Sequence, residues 1–563
     1  MSPLRELTAH FFRGLLNQEA LAGQSESRYS ITPILAVLFV PGLFIGMYQF
    51  PKYVRLAFGP PAQTEAAASV DRLMFVFFSM IVVGFLAVLQ WDALFPDARD
   101  YRILGPLPIA MRTIFGAKLL ALAGFFGLFA VDVNVASTIL FPAAAIGPHE
   151  PIAHLLRLAG SHAVSVLGAS AFVFLAVVAW QGALMNLLPP RLFRRVSVYA
   201  QFMTLFGLFS ALFLWPKIAS VYLPMKQRAA PGFFLAPPFW FAGLYQQLAG
   251  GGDETDAHQA DRAVLALIAV VLLASLTYLI SYRRHLRRML EAPRGHADDR
   301  HVLAGVLEAL ANRVVVRKPA QQAAFHFVAK TMLRSKPHRL ILAAYLGVAL
   351  ALVLDGVLAS RDLEQFLQYR PDSALCTMPL VFSFFLLSGM RAVFKLPAEL
   401  RANWIFRLAE PDHQRQGLAG VRRAMWLLGL GPAVPLLPLY AALWGWQTAG
   451  HHLVFGGVLA LILVEALLLH LQSIPFTCSR VPGRANLTTA WTLYFLAFLM
   501  YVYTAARVGY WMQQAPLRLA LGYAVVGLVL IALMLHRNQL LREDGTLVFE
   551  EEMEPAVRVL HLT

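Results

Sequence analysis

Three acidic residues fall inside long apolar runs: Asp132, Asp355 and Glu465. A carboxylate in a bilayer is costly, so each is a functional candidate, as a partner for a cation or a polar substrate group. Depth separates the three. Asp132 lies nineteen residues into a run starting near residue 113, or ~28 Å at the rise of an α-helix, which reaches the far interface. Asp355 is also close to the end of its run. Glu465 falls near the middle of the run 453–475, with His470 five residues on. It is the candidate intramembrane polar site, against the alternative of a carboxyl kept neutral or hydrogen-bonded between helices. His149-Glu150 with His154 lacks the spacing that puts two imidazoles one helical turn apart, and Pro148 and Pro151 break the helix that spacing needs. His451-His452 is a loop pair without a visible partner. No nucleophile elbow and no paired carboxylates occur, so no catalytic or metal-ligating residue is assigned.

The elements that must position these residues are membrane helices. The chain has 563 residues, of which 58% are hydrophobic and 14% charged, against roughly 25% charged in soluble domains. The mean hydropathy of +0.60 agrees. A water-soluble surface could not absorb so much apolar side chain. Apolar runs long enough for a span, roughly 20 residues, cover 31–50, 73–90, 113–140, 163–186, 197–215 and 262–282, then 340–358, 373–390, 424–445, 453–475, 488–506 and 517–536. The expected fold is an all-α integral membrane protein of about twelve transmembrane helices in two six-helix bundles. Residues 1–30 carry Arg5, Glu6, Arg13, Glu19 and Glu26 and no continuous apolar core, so no cleavable signal peptide is expected. Cys376 and Cys478 suggest neither a disulfide framework nor a metal site.

Charge sets the expected orientation. With the N-terminus inside, 35 of the 47 Lys and Arg fall in cytoplasmic segments and 12 outside, as the positive-inside rule requires. Both termini are then cytoplasmic, in the inner membrane of the cell. The net charge of +15 follows from residues at the ends of apolar runs, where topology and anionic membrane lipids call for them. It is not a nucleic-acid footprint.

The longest cytoplasmic connection, 283–339, opens with Arg283, Arg284, Arg287 and Arg288 and divides the chain. Residues 1–290 form the first six-span half, 291–339 the connection, and 340–563 the second half, with an acidic tail at 542–555. Each half is preceded by an amphipathic stretch: Leu4, Leu7, Phe11 and Leu15 in one, Phe325, Val328, Met332 and Leu333 in the other. Such helices lie in the membrane interface.

Between the second and third runs stands FPDARDYRILGPLPIAMRTIFGAKLLAL, 95–122. Its prolines and glycine forbid one continuous helix. Leu104, Leu107 and Ile109 would meet water unless a partner or another part of the chain covers them. This segment resembles the intracellular loop of type 2 ATP-binding-cassette (ABC) exporter permeases, in which a charged stretch and an apolar L-x-x-x-P-[IV] element precede a K-L-L span entry. Asp100, Leu104, Leu107, Pro108, Ile109 and the run Ala117-Lys118-Leu119-Leu120 fill those places. APPFWFAGLYQQLAG, 236–250, occupies the family's re-entrant or interfacial segment before the sixth span. LPAELRANWIFRLAEP, 396–411, takes the equivalent loop position in the second half but lacks the L-x-x-x-P-[IV] element.

The resemblance implies a permease subunit holding both transmembrane halves in one polypeptide. It implies coupling to an ATPase through Asp100, Leu104, Gly105, Leu107, Pro108, Ile109 and Arg112, and more weakly through Leu396, Arg401 and Trp404. No Gly-Lys-Ser or Gly-Lys-Thr phosphate loop occurs. This chain is therefore expected to bind no cofactor and to have no enzymatic activity. ATP and Mg would sit on a partner cassette ATPase present in two copies. Leu387-Ser388-Gly389-Met390, like a cassette signature, lies at the end of a run and reads as helix packing. The alternatives are an ion-coupled secondary transporter, a membrane-embedded enzyme acting on lipid-linked substrates, and a non-transporting scaffold. The transported substrate is not encoded in any motif.

Overall fold

The computed structural model describes residues 3–16, 32–95, 104, 108–147, 150–291, 308–359, 367–371, 373–398, 406, 408, 410–469, 471, 473–478, 487–543 and 547. All regular structure among them is helical. Ten helices are long and apolar enough to cross a membrane, the architecture of a multi-pass membrane protein. The chain divides into two compact units, 1–295 and 296–563.

The first unit contains α1 (Pro3–Leu16), α2 (Thr32–Leu56), α3 (Pro61–Leu89), α4 (Met111–Ala145), α5 (Ile152–Leu187), α6 (Pro190–Phe213), α7 (Trp215–Gln227), α8 (Pro237–Ala249) and α9 (Glu254–Glu291). Proline opens many of these helices, because the first turn has no use for the missing N–H. The apolar stripe of α1 forms as expected. Leu7, Phe11 and Leu15 are buried, and α4 covers them. The 13-residue α8 spans only ~20 Å, too short to cross. Pro237 and Pro238 begin it, and Gly250 at φ 89° ends it by accepting the left-handed cap. It packs on α3, α5 and α9.

The second unit contains α10 (Pro319–Arg334), α11 (Lys336–Ala359), α12 (Ala374–Val393), α13 (Pro411–Leu430), α14 (Leu437–Leu468), α15 (Leu487–Leu499), α16 (Ala505–Met512) and α17 (Pro516–Glu543), with a π-helical turn at Met500–Thr504 between α15 and α16. The stripe of α10 buries Phe325, Val328 and Met332, but Leu333 is exposed. Gly389 packs against Tyr345, where an added Cβ would come within 3.0 Å. The signature-like string is thus part of a close helix–helix approach.

The run 424–445 is not one continuous helix. Helix α13 stops at Leu430 and the chain turns through 431–436, which contains Gly431, Pro432 and Pro435. Gly445, at φ 81° and ψ 159°, then splits α14 into two arms, 437–444 and 446–468. The arms fold back on one another, since the rings of Tyr440 and His452 lie 5.2 Å apart. In an unbroken helix twelve residues would separate them by ~18 Å. The register continues away from the reversal: an added Cβ at Gly457 would lie 3.0 Å from Leu430, and Arg422 meets Glu465. Residues 422–468 are therefore an antiparallel hairpin that reverses at Gly445.

The two units repeat a packing scheme. In the first, α1 packs on α4, α3 on α4, α5 and α6, α4 on α5, and α5 on α9. In the second, α10 packs on α13, α12 on α13, α14 and the π-helical turn, α13 on α14, and α14 on α17. They differ at their first apolar helix: α2 lies on α4, whereas α11 lies on α12.

Candidate functional site

In the first unit, the described residues between α3 and α4 join the hydrophobic cluster that also holds the α1 stripe. Leu104 and Ile109 pack on the cluster formed by Leu7, Phe11, Trp91, Phe95 and Phe115. The chain itself thus covers part of the apolar surface that the loop would otherwise show to water. Pro108 and Arg112 are exposed. Asp100, Gly105 and Leu107 lie outside the described residues. The end of α3 is tied down by polar contacts: Trp91 Nε1 donates to Ser197 Oγ at 2.8 Å, Gln181 Nε2 to the Trp91 carbonyl at 2.7 Å, and Gln201 Nε2 to the Val88 carbonyl at 2.9 Å. Lys118 Nζ stands 4.8 Å over the Phe11 ring, a cation–π contact that joins α4 to α1.

The corresponding loop of the second unit is held differently. The Leu396 carbonyl accepts from His338 Nε2 at 3.1 Å, so Nδ1 is left to accept from Ser335 Oγ at 2.6 Å. Phe476, in the left-handed region at φ 67°, donates its N–H to Phe394 and accepts from the Ala398 N–H, both at 3.1 Å. Arg401 and Trp404 lie outside the described residues.

Glu465 is fully buried and sits toward the end of its helix. It lies three positions before the end of α14 and twenty residues from Gly445, or ~30 Å of helix, the thickness of a hydrocarbon core. It therefore stands at the open end of the hairpin, away from the middle of the span. Two arginines flank it: Arg422 Nη1 at 3.7 Å and Arg537 Nε at 3.3 Å. Arg422 also lies 4.5 Å over the Trp426 ring, one turn along α13. Its neighbour Arg423 is committed to the Val315 carbonyl at 2.8 Å and Gln321 Oε1 at 2.7 Å. The second unit thus builds a buried Arg–Glu–Arg cluster where three helices converge. The sequence reading missed both arginines because it spent them on topology. Their signal was position: Arg422 and Arg537 flank the apolar runs at the same depth as Glu465.

A second polar group was also missed. In the first unit, His162 bridges Ser137 Oγ and Tyr245 OH, each at 3.1 Å. Asn134 Nδ2 donates to Ser79 Oγ at 2.7 Å, and Ser79 meets Ser170 at 2.5 Å. Arg72 bonds Gln246, whose Nε2 donates to Ser69 at 2.6 Å. Asp71 pairs with Lys52 at 2.5 Å and accepts from Tyr53 OH at 2.9 Å. Two of these groups fasten the short α8: His162 ties Tyr245 to α5, and Arg72 and Ser69 tie Gln246 to α3. A search for charges alone passes over these contacts, because most of their members are neutral.

Of the other acids, Asp132 is half-buried with one oxygen lacking a hydrogen-bond partner among the described residues. Asp355 is half-buried near the end of α11. Glu150 and His154 stand 3.9 Å apart on an exposed surface, and the described residues contain no cluster able to hold a metal. No known family model, curated protein or solved structure matches this chain.

Proposed function

We propose that this chain is the membrane-spanning permease of an ATP-driven exporter of the type 2 cassette kind, energised by a separate ATPase. The observation that carries the reading is the repeated packing scheme of the two units. In each unit a short helix before the first span, α1 or α10, is braced on the third span beside the loop that follows the second. Such a brace suits a loop that must receive force from a partner and pass it into the helices. On this proposal twelve crossings are reached by adding α2 and the broken arm 424–444 to the ten long apolar helices. The excess of Lys and Arg puts both termini and the braced loops in the cytoplasm. The exposed Pro108 and Arg112 are the described part of the proposed contact, which the sequence extends to Asp100, Gly105 and Leu107. Leu104 and Ile109 support it from beneath.

The test is co-purification followed by reconstitution. A cassette ATPase should be captured with the full-length chain, and transport should require ATP and that subunit. The isolated chain should hydrolyse no ATP. Solute movement that follows a proton or sodium gradient without any ATPase would replace this reading with a secondary transporter, for which the buried His162 chain would be the natural ion path.

A further inference from the structure

The Arg422–Glu465–Arg537 cluster holds more positive charge than it neutralises. Even with Glu465 ionised, two guanidiniums face one carboxylate. Among the described residues no other carboxylate pairs with either arginine. Arg537 is only 6% exposed, and a surplus charge so deep is strongly unfavourable unless an anion completes it. Hydrogen-bond donors are available for one. Arg422 Nε and Trp426 Nε1 are buried atoms without a hydrogen-bond partner, while Arg537 turns its Nε toward Glu465. The Trp426 ring holds the Arg422 guanidinium at 4.5 Å by a cation–π contact, and a guanidinium edge matches two oxygens of a phosphate. The Arg422 side chain is 19% exposed, which opens the cluster to its surroundings. Its level, one hydrocarbon thickness from Gly445, is where lipid phosphates lie.

We propose that Arg422, Arg537 and Trp426, gathered around Glu465, bind a phosphate-bearing anion: the headgroup phosphate of an anionic lipid or a soluble phosphate. The inference does not depend on the transport reading and requires only that the hairpin cross a membrane.

The test uses the full-length protein, delipidated in a neutral detergent, with thermal unfolding followed during titration. The probes are phosphatidylglycerol, zwitterionic phosphatidylcholine and inorganic phosphate. Phosphatidylglycerol should raise the melting temperature of the wild type, and phosphatidylcholine should not. Arg422→Gln removes the surplus charge and leaves Glu465 paired with Arg537. It should therefore melt at or above the wild type without anion, while its affinity for the anion falls by about tenfold or more. Arg422→Lys keeps the charge but loses the fork, and should show an intermediate loss of affinity; it decides the matter if Arg422→Gln does not fold. A response to phosphatidylglycerol alone assigns a lipid headgroup site. A response to inorganic phosphate as well assigns a phosphate site open to solvent. If the wild type responds to neither anion, or if the variants respond as strongly as the wild type, the cluster is only a structural ion group and the proposal is overturned.

Discussion

The Arg422 guanidinium lies 3.7 Å from the Glu465 carboxylate, and the pairing closes the open end of a hairpin whose arms reverse at Gly445. Glu465→Gln would leave two buried arginines facing each other with nothing between them. Breaking one partner of a buried ion group costs about 3–5 kcal/mol, so this variant should melt well below the wild type. Glu465→Gln combined with Arg537→Gln should recover most of the loss. A Glu465→Gln protein that melts with the wild type would show that the cluster does not hold the three helices together.

At Gly445 the backbone occupies a region with positive φ that side chains with a Cβ rarely adopt. No atom stands within 4 Å of an added Cβ, so any penalty is conformational, not steric. Gly445→Ala should lower stability by about 1–3 kcal/mol. Replacing Gly450, which has a helical backbone and equally open space, should change little. Thermal unfolding of the two variants side by side separates strain from packing.

The loop after α3 contains two kinds of residue. Leu104 packs on the cluster around α1, so Leu104→Asp should destabilise the protein by about 2 kcal/mol or more. Arg112 is exposed at the start of α4. Arg112→Glu should leave the melting temperature within a degree or two of wild type while weakening ATPase capture. Pull-down measured with thermal unfolding on one preparation distinguishes the two effects. Unchanged capture by Arg112→Glu would move the contact away from this residue.

Lys226 on α7 ties down the start of α9 through Asp253 at 3.1 Å and Asp256 at 2.6 Å. Lys226→Gln would strand the Asp256 carboxylate, whose side chain is 1% exposed, at a cost of about 3–5 kcal/mol. Burial acts to raise the Asp253 pKa, but bonds from the Asp256 backbone and from Lys226 outweigh it and hold the carboxyl below its usual range. A depressed carboxylate stabilises the fold above its unfolded pKa, and that support is lost as the pH falls through the folded value. The Asp253 contribution should therefore persist at neutral pH and fade below about pH 4. It should also be small, because the side chain is more than half exposed. Asp253→Asn should match the wild type in acid and fall slightly below it at pH 7.

Long apolar runs were legible because hydropathy over twenty residues is a strong local signal, and ten of the twelve reappear as helices that satisfy length and composition. The stripe Leu7, Phe11 and Leu15 was equally readable, since period alone places those side chains on one face. The covering partner was not readable, because whether lipid or α4 meets that face depends on the tertiary fold. Glu465 stands out by its charge, but its place near the end of α14 does not. The run 453–475 was centred by hydropathy, whereas the position of the reversal is set by the backbone freedom of Gly445. Arg422 and Arg537 each had a sufficient local explanation as topology charges, which hid their convergence on one carboxylate. The polar contacts around His162 are not legible in the sequence, because their members are scattered over several helices and only the fold brings them together.

The one-residue reversal at Gly445 also constrains how the second unit is made. Arm 424–444 is broken at 431–436 and would be a weak membrane segment if it had to enter alone. With a single glycine between the arms, neither can rest in the bilayer while the other waits outside. On the twelve-crossing reading the pair enters as one piece, after the ribosome has delivered both arms, and the charged ends carrying Arg422 and Glu465 stay on one side. Lengthening the turn with a flexible insert would uncouple the arms. The first effect should appear as newly made chains with the wrong topology, ahead of any loss in the finished protein.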